Sequence, residues 1–346
     1  MAIVKRVTNS AIEKRPEKIV STLSLDNYYN NRNKILIIRN IGGLGDILMH
    51  RMIFEDFKNI MPDAEIHFCC PKYYHDAVKD HPFIDKIFDY KELCKSDYII
   101  SYNTTTACGR TEMRHAPLPG PHRSDIWAEH CGVTLSKHNM HINISNSEKI
   151  EGNRLLKENC DREGPNVVIC PVSAMQNKNL LEHQLVGLVD GLRERGLCAL
   201  CLHHTPINIC YKNNIPLIVE SRIRAWMAVL NQADYVVSVD TSAFHCAGGM
   251  GKPLVGIFTF TNSTTYGKYY PNLELVQGPC PIGHQGCYAW GNCPCKKDKS
   301  NNLVPCCNDI SVDSMLLAFD RLKNREKVGV LSPHKDKLAA SNTIIL

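Results

Sequence analysis

The sequence predicts an α/β protein of two parallel-sheet domains facing one cleft. Three observations carry this. A short apolar run, Ile35 to Ile38, ends in a glycine turn at Gly42, Gly43 and Gly45, and a helical pattern follows. A second alternating series of apolar strands and helices begins at Asn166. Between the two series, Asp161-Arg-Glu-Gly-Pro165 breaks the pattern. Near-continuous apolar strands alternating with helices imply parallel sheets covered on both faces.

In chain order, residues 1–33 are polar and form an N-terminal extension, followed by a first Rossmann-like domain over 34–160. Its strands are expected at 34–39, 65–70, 86–88 and 97–101, with a helix from Asp46 carrying Ile47, Leu48, Met52, Ile53, Phe57 and Ile60 on one face. The polar, proline-bearing stretch Arg114-His-Ala-Pro-Leu-Pro-Gly-Pro-His-Arg123 belongs to a long surface loop, 103–123, facing the cleft. A helix follows over 124–132. The second Rossmann-like domain, 165–325, has strands at 166–170, 197–202, 216–219, 235–239 and 253–258, with helices at 179–195, 222–231 and 243–250. A cysteine-rich insertion occupies 280–307 and a tail 326–346.

At 346 residues the chain suits two domains better than one core. With 44% hydrophobic and 22% charged residues it has the composition of a soluble globular protein. No apolar run approaches the ~20 residues of a membrane span, and the N-terminus lacks the apolar core of a secretory signal. A cytoplasmic location is expected, with the 17 cysteines mostly free thiols or metal ligands. The net charge of +5 permits an anionic substrate but lacks the dense basic stripe of a nucleic-acid binder.

Three motifs could carry chemistry. Lys34-Ile-Leu-Ile-Ile-Arg-Asn-Ile-Gly-Gly-Leu-Gly-Asp46 is a strand, turn and helix start, where a backbone can receive a ligand. Asp46 would repel a phosphate there, which suits a helix cap or a catalytic base. Asp240-Thr241-Ser242, with His245 beyond it, also lies between a strand end and a helix start. Its hydroxyls, N–H groups and helix dipole make a diphosphate seat, with Gly248 and Gly249 permitting close approach. Cys170-Pro-Val-Ser-Ala-Met-Gln-Asn-Lys178 places Ser173 and Lys178 on a pre-helix loop, where the lysine can neutralise phosphate. Each motif alone also fits a bland reading: a capped helix, a packing glycine, a solvated lysine.

Taken together they resemble family-nine glycosyltransferases, the group of the ADP-heptose:lipopolysaccharide heptosyltransferases. The likeness runs from about Lys34 to Phe319. It is carried by the Asp46 motif, Pro62-Asp-Ala-Glu-Ile66, Lys178, and Val239-Asp-Thr-Ser-Ala-Phe-His245 followed by Ala247, Gly251 and Pro253.

The resemblance implies a GT-B fold and an inverting transfer without a catalytic metal. It makes Asp46 the general base, Lys178 the holder of the donor phosphates and Asp240 a ligand of sugar hydroxyls, with Thr241, Ser242 and His245 along the diphosphate. It implies an ADP-linked sugar donor, a heptose among the candidates, and a glycan acceptor of lipopolysaccharide type or a protein acceptor. It is compatible with peripheral membrane contact and involves no nucleic acid. Arg39, Arg51, Arg114, His115 and Arg123 are basic residues placed to meet an anionic acceptor. Two departures stand out: Ser242 replaces the family's usual Gly, and the loop His203-His-Thr-Pro-Ile-Asn-Ile-Cys210 lacks the acidic residue that often contacts the ribose.

Cys280, Cys287, Cys293, Cys295, Cys306 and Cys307 crowd the insertion, with His284 among them. In a reducing compartment such crowding favours a structural zinc or iron held by four of the six. A similar cysteine finger occurs in autotransporter heptosyltransferases, where it is structural. The other cysteines, among them Cys69, Cys170, Cys198 and Cys201, read as small core residues. The competing class is a non-catalytic GT-B scaffold that uses the cysteine loop for assembly.

Overall fold

The computed structural model describes residues 33–327, apart from 94–96, 99, 285–286, 288–294 and 296–302. The expected extension, most of the expected tail and Cys293 therefore lie outside the described residues.

The first sheet holds β1 (Lys34–Ile38), β2 (Glu65–Cys69), β3 (Lys86–Phe88) and β4 (Ile100–Asn103), in the order β3-β2-β1-β4. All its pairings are parallel, with Ile35 opposite Ile66 on one side of β1 and Ile100 on the other. After the glycine turn, α1 (Leu44–His50) and α2 (Phe54–Ile60) run almost continuously through a tight turn at Arg51–Ile53. Ile47, Leu48, Phe54 and Phe57 are fully buried against the sheet. Each such side chain contributes roughly 1.5–3 kcal/mol of transfer free energy.

The second sheet, of six strands, has the order β10-β9-β8-β5-β6-β7 and is again all parallel. Its strands are β5 (Asn166–Cys170), β6 (Cys198–His203), β7 (Leu217–Val219), β8 (Tyr235–Val239), β9 (Leu254–Phe258) and β10 (Leu273–Gln277). Central β8 and β9 are buried throughout, as a strand covered on both faces must be.

In both sheets the strand order reverses beside the strand that opens the series. β1 has β2 on one side and β4 on the other, and β5 has β6 on one side and β8 on the other. The carboxyl ends at such a reversal frame a crevice, the usual ligand position in open α/β sheets. Two parallel-sheet regions that present these ends to one cleft make the fold GT-B-like.

Several elements depart from expectation. β4 lies at 100–103, not 97–101. The expected loop 103–123 contains α3 (Ala107–His115), and Arg123 opens α4 (Arg123–His130). α3 is polar and buries only Ala107 and Cys108, so it has no apolar stripe to announce it. The connection between the sheets carries α5 (Asn146–Asn159), opened by a capping box between Ser145 and Glu148. β10 and the helices α10 (Ser263–Gly267) and α12 (Val312–Lys327) were likewise not expected; α6 (Glu182–Glu194), α7 (Asn208–Lys212), α8 (Ile223–Gln232), α9 (Ser242–Gly249) and α11 (Pro305–Asn308) complete the set. Cys198 is buried in the core as expected, but its sulfur is disulfide-bonded to Cys160, with the two Cα atoms 5.9 Å apart.

Candidate active site

A cleft of about 700 Å³ lies between the carboxyl ends of the two sheets. On its first wall stand Gly43 to Asp46, Met49, Tyr73, Tyr74 and Arg123. On the second stand Ser173, Lys178, Asp240, Thr241, Ser242 and His245.

The glycine turn shapes the first wall. Gly42 has φ +125°, and a Cβ built there would lie 2.6 Å from Asp46 Oδ2 and 2.7 Å from an Arg39 nitrogen. Any side chain would displace both groups. Gly43 is the N-cap of α1, so Asp46 sits within the first turn and caps nothing. Its oxygens go elsewhere: Arg39 donates to Oδ2 at 2.8 Å and Arg123 to Oδ1 at 2.6 Å. Burial disfavours the charged carboxylate, but the two guanidiniums outweigh burial and hold its pKa at about 2. Beneath it, His50 Nδ1 donates to the Asp46 carbonyl at 2.8 Å, and burial lowers its pKa to about 3.

On the second wall, Lys178 closes a short turn after β5 and Asp240 follows β8. Because β5 and β8 are neighbours, the side chains meet: Lys178 Nζ lies 2.7 Å from Asp240 Oδ2. Thr261 donates to the same oxygen at 2.6 Å, and His245 Nε2 stands 3.9 Å from Oδ1. Burial works against charge on Asp240, yet Lys178 and the Thr261 hydrogen bond keep its carboxyl below the usual range. His245 shares a 2.8 Å hydrogen bond with the Tyr270 hydroxyl, and burial pulls its pKa down to about 4. Thr241 is the N-cap residue of α9 but makes no side-chain cap bond, and Ser242 is the first helical residue. Ser173 donates from Oγ to the Met175 carbonyl at 3.0 Å.

The two walls approach where the helices begin. A Cβ on Gly45 would lie 3.0 Å from His245 Cδ2 and 3.6 Å from Ser242 Cα.

Other expected site residues stand elsewhere. Arg51 is fully buried and donates to the carbonyls of Ala77, Met140 and His141 and to Asp80, so it cannot face an acceptor. Arg39 is buried on Asp46 and on the Thr104 and Thr105 carbonyls. Arg114 and His115 lie in the last turn of α3 and do not line the cleft. Gly248 and Gly249 face Tyr270 and Met140, which makes them packing glycines, not ligand seats.

The expected thiolate cluster is only partly within view. Cys280 and Cys295 sulfurs are 4.0 Å apart, while Cys287, Cys306 and Cys307 pack with Phe260, Leu303 and Val304. Among the described residues, no three His, Cys, Asp or Glu side chains gather as a metal would require.

The loop after β6 also lines the cleft, and sequence reasoning missed Glu220, Ile223 and Trp226 beside it. His203 and His204 face the cleft with ring centroids 4.2 Å apart, beside Glu220, Ile223 and Trp226. Glu220 follows β7 and is held by Arg222 at 2.6 Å and 3.0 Å. Its signal was present: a carboxylate just past a strand, at the ligand edge of the same sheet.

Residues 128–288 match the family model described as glycosyltransferase family 9 (heptosyltransferase). Over this segment the chain resembles that family. The match supports a glycosyltransferase. No curated protein sequence matches the chain. Among solved structures, the E. coli ADP-heptose lipopolysaccharide heptosyltransferase II aligns with TM-score 0.62 at 14% identity, covering 85% of this chain and 99% of that one. The family 9 glycosyltransferase of Veillonella parvula gives 0.62 at 15%, covering 85% and 97%. The iron-containing dodecameric glycosyltransferase TibC of enterotoxigenic E. coli gives 0.63 at 13%, covering 86% and 77%. TibC is also known in complex with ADP-D-beta-D-heptose, in a structure that aligns at 0.59 and 12%, covering 85% and 77%. At these identities the likeness establishes the fold. No helix among the described residues is long and apolar enough to cross a membrane.

Proposed function

We propose that this glycosyltransferase inverts the anomeric centre of an ADP-linked sugar, a heptose being favoured, and transfers it to a hydroxyl of a lipopolysaccharide-type glycan. One observation carries the reading: Asp46 and the Lys178–Asp240 pair line opposite walls of one cleft. The acceptor oxygen attacks the anomeric carbon from the first wall, while the bond from that carbon to the diphosphate breaks on the second. The acceptor proton passes to Asp46, and the nucleoside diphosphate leaves with the new charge on its terminal phosphate. Lys178, the Ser242 hydroxyl and the start of α9 meet that charge where it develops. Asp240 accepts from sugar hydroxyls, Glu220 is placed for the ribose, and His203 and His204 flank the nucleoside. Arg123, the one expected acceptor arginine that lines the cleft, faces the acceptor side.

The neighbours solved with ADP-D-beta-D-heptose and with ADP support the choice of donor. A protein acceptor is the second reading, favoured by the cysteine-rich segment that first suggested it. The Cys280 and Cys295 sulfurs stand close to the ~3.8 Å separation of two thiolates on a tetrahedral ion with Zn–S bonds near 2.3 Å. They are the described residues that would hold a structural metal, and TibC is an iron-containing neighbour.

The test is calorimetry of the purified chain against ADP-, GDP-, UDP- and CMP-linked sugars, then transfer to lipid-core glycans and to protein substrates. ADP-sugar binding followed by transfer to one acceptor class supports the reading. No binding to any donor would sink it.

A further inference from the structure

Two guanidiniums on one carboxylate make a stable anion and a reluctant base. They are not equivalent. Arg39 is fixed, with NH1 on the Thr104 and Thr105 carbonyls at 3.2 Å and 2.7 Å and NH2 on Asp46. Arg123 is divided between two carboxylates. Its Nε and NH2 donate to Glu112 at 2.7 Å and 3.1 Å, and its NH1 donates to Asp46. Glu112 also accepts from the Tyr266 hydroxyl at 3.2 Å. Tyr266 belongs to α10 in the second half of the chain; its ring centre lies 5.6 Å from the Arg123 guanidinium, and it lines the cleft.

We propose that Glu112 and Tyr266 are positioning residues for the transfer: they hold Arg123 partly off Asp46, so that this carboxylate keeps enough proton affinity to take the acceptor's proton. This rests on Asp46 being the base. A guanidinium without a second carboxylate turns its full fork on the one that remains, as paired N–H donors. Asp46, which already accepts one bond from each arginine, would then take a further one from Arg123, and its proton affinity would fall. Tyr266 adds a condition, because its bond to Glu112 crosses from one half of the chain to the other. Arg123 takes this pose when the two walls stand as they do here. Of the other ionisable groups near Asp46, His50 and His245 have pKa values lowered by burial, and Tyr74 and Cys108 have theirs raised by it, so all four are neutral at physiological pH. None of them can replace Arg123 as the adjustable charge.

The experiment measures kcat and donor KM for the full chain as wild type, Glu112→Gln, Glu112→Asp, Tyr266→Phe, Arg123→Gln and Glu112→Gln/Arg123→Gln, with Asp46→Asn as control. Glu112→Gln should lower kcat about 10-fold and leave KM within about twofold. Glu112→Asp should recover most of the loss, and Tyr266→Phe should show a smaller loss of the same kind. In the Arg123→Gln background, Glu112→Gln should add less than about twofold, because its effect passes through Arg123. Unchanged kcat in Glu112→Gln, or an equal loss in both backgrounds, overturns the proposal. If Glu112→Gln does not fold, Tyr266→Phe decides, since it removes a single hydroxyl. Retained kcat in Asp46→Asn would instead overturn the base assignment, so the two failures are distinguishable.

Discussion

Lys178 and Asp240, 62 residues apart in sequence, form an ion pair at 2.7 Å across the ends of two adjacent strands, with Asp240 buried and Lys178 partly so. The pair explains how a lysine on a polar loop becomes a fixed charge. It also ties donor binding to stability, because removing one partner of a buried pair strands the other.

Lys178→Ala should therefore act twice. Donor affinity is expected to fall about 10- to 100-fold, and stability by roughly 3 kcal/mol as Asp240 loses its counter-charge. Calorimetry and thermal melts check the two effects separately. Lys178→Met, which keeps the length but not the charge, should lose affinity as severely.

Asp46→Asn should reduce kcat by about 10²- to 10⁴-fold, the range for a general base, with donor affinity within a few-fold of wild type. Single-turnover kinetics with saturating donor would reveal this. Loss of donor binding alongside turnover would instead mark Asp46 as an organiser of the cleft.

Acid should weaken the fold in two stages. His50, His122 and His245 are buried and neutral, with pKa values lowered by burial to about 3, 3 and 4. Each takes up a proton more readily when unfolded, so stability is complete above pH ~6.5 and falls as pH drops toward 4. Asp46, held at about 2 against burial by Arg123 and Arg39, adds a loss that begins below pH ~4. The slope is about 1.4 kcal/mol per pH unit for each proton taken up on unfolding. Melting temperatures between pH 7.5 and 3.5 should fall from just below 6.5 and steepen below 4. A flat profile down to pH 4 would contradict the burial of these imidazoles.

Gly45→Val should cripple transfer while leaving each sheet intact. A side chain at this position meets the His245 ring and the Ser242 backbone, so the two helix starts must separate. A loss of about 10-fold or more in kcat/KM, with far-ultraviolet dichroism unchanged, is the expected outcome. Gly45→Ala, whose methyl alone lies 3.0 Å from a movable ring, should lose less.

Much of this architecture was legible because the strands are short, apolar and closed by turns. β5 and β8 fall where the apolar runs place them, and the residues just past them are the ones that line the cleft. What sequence does not show is adjacency. Nothing in the run from Cys170 to Asp240 says that β5 and β8 are neighbours, so the Lys178–Asp240 bond was out of reach. Arg39 and Arg51 look alike as basic residues near an anionic site, yet burial commits both to internal partners. α3 was hidden by its polarity, whereas α5 carried a readable Ser145-x-x-Glu148 signature that went unused. The disulfide between Cys160 and Cys198 joins residues from different elements, which spacing along the chain cannot reveal.

The Lys178–Asp240 pair also bears on the pace of the proposed cycle. When the sugar departs, the nucleoside diphosphate left behind carries about one more negative charge than the donor that entered. A fixed ammonium and a helix N-terminus hold that product more tightly than they held the donor. Emptying the cleft, and not breaking the glycosidic bond, would then limit turnover, and the spent nucleotide would act as the natural brake on the enzyme.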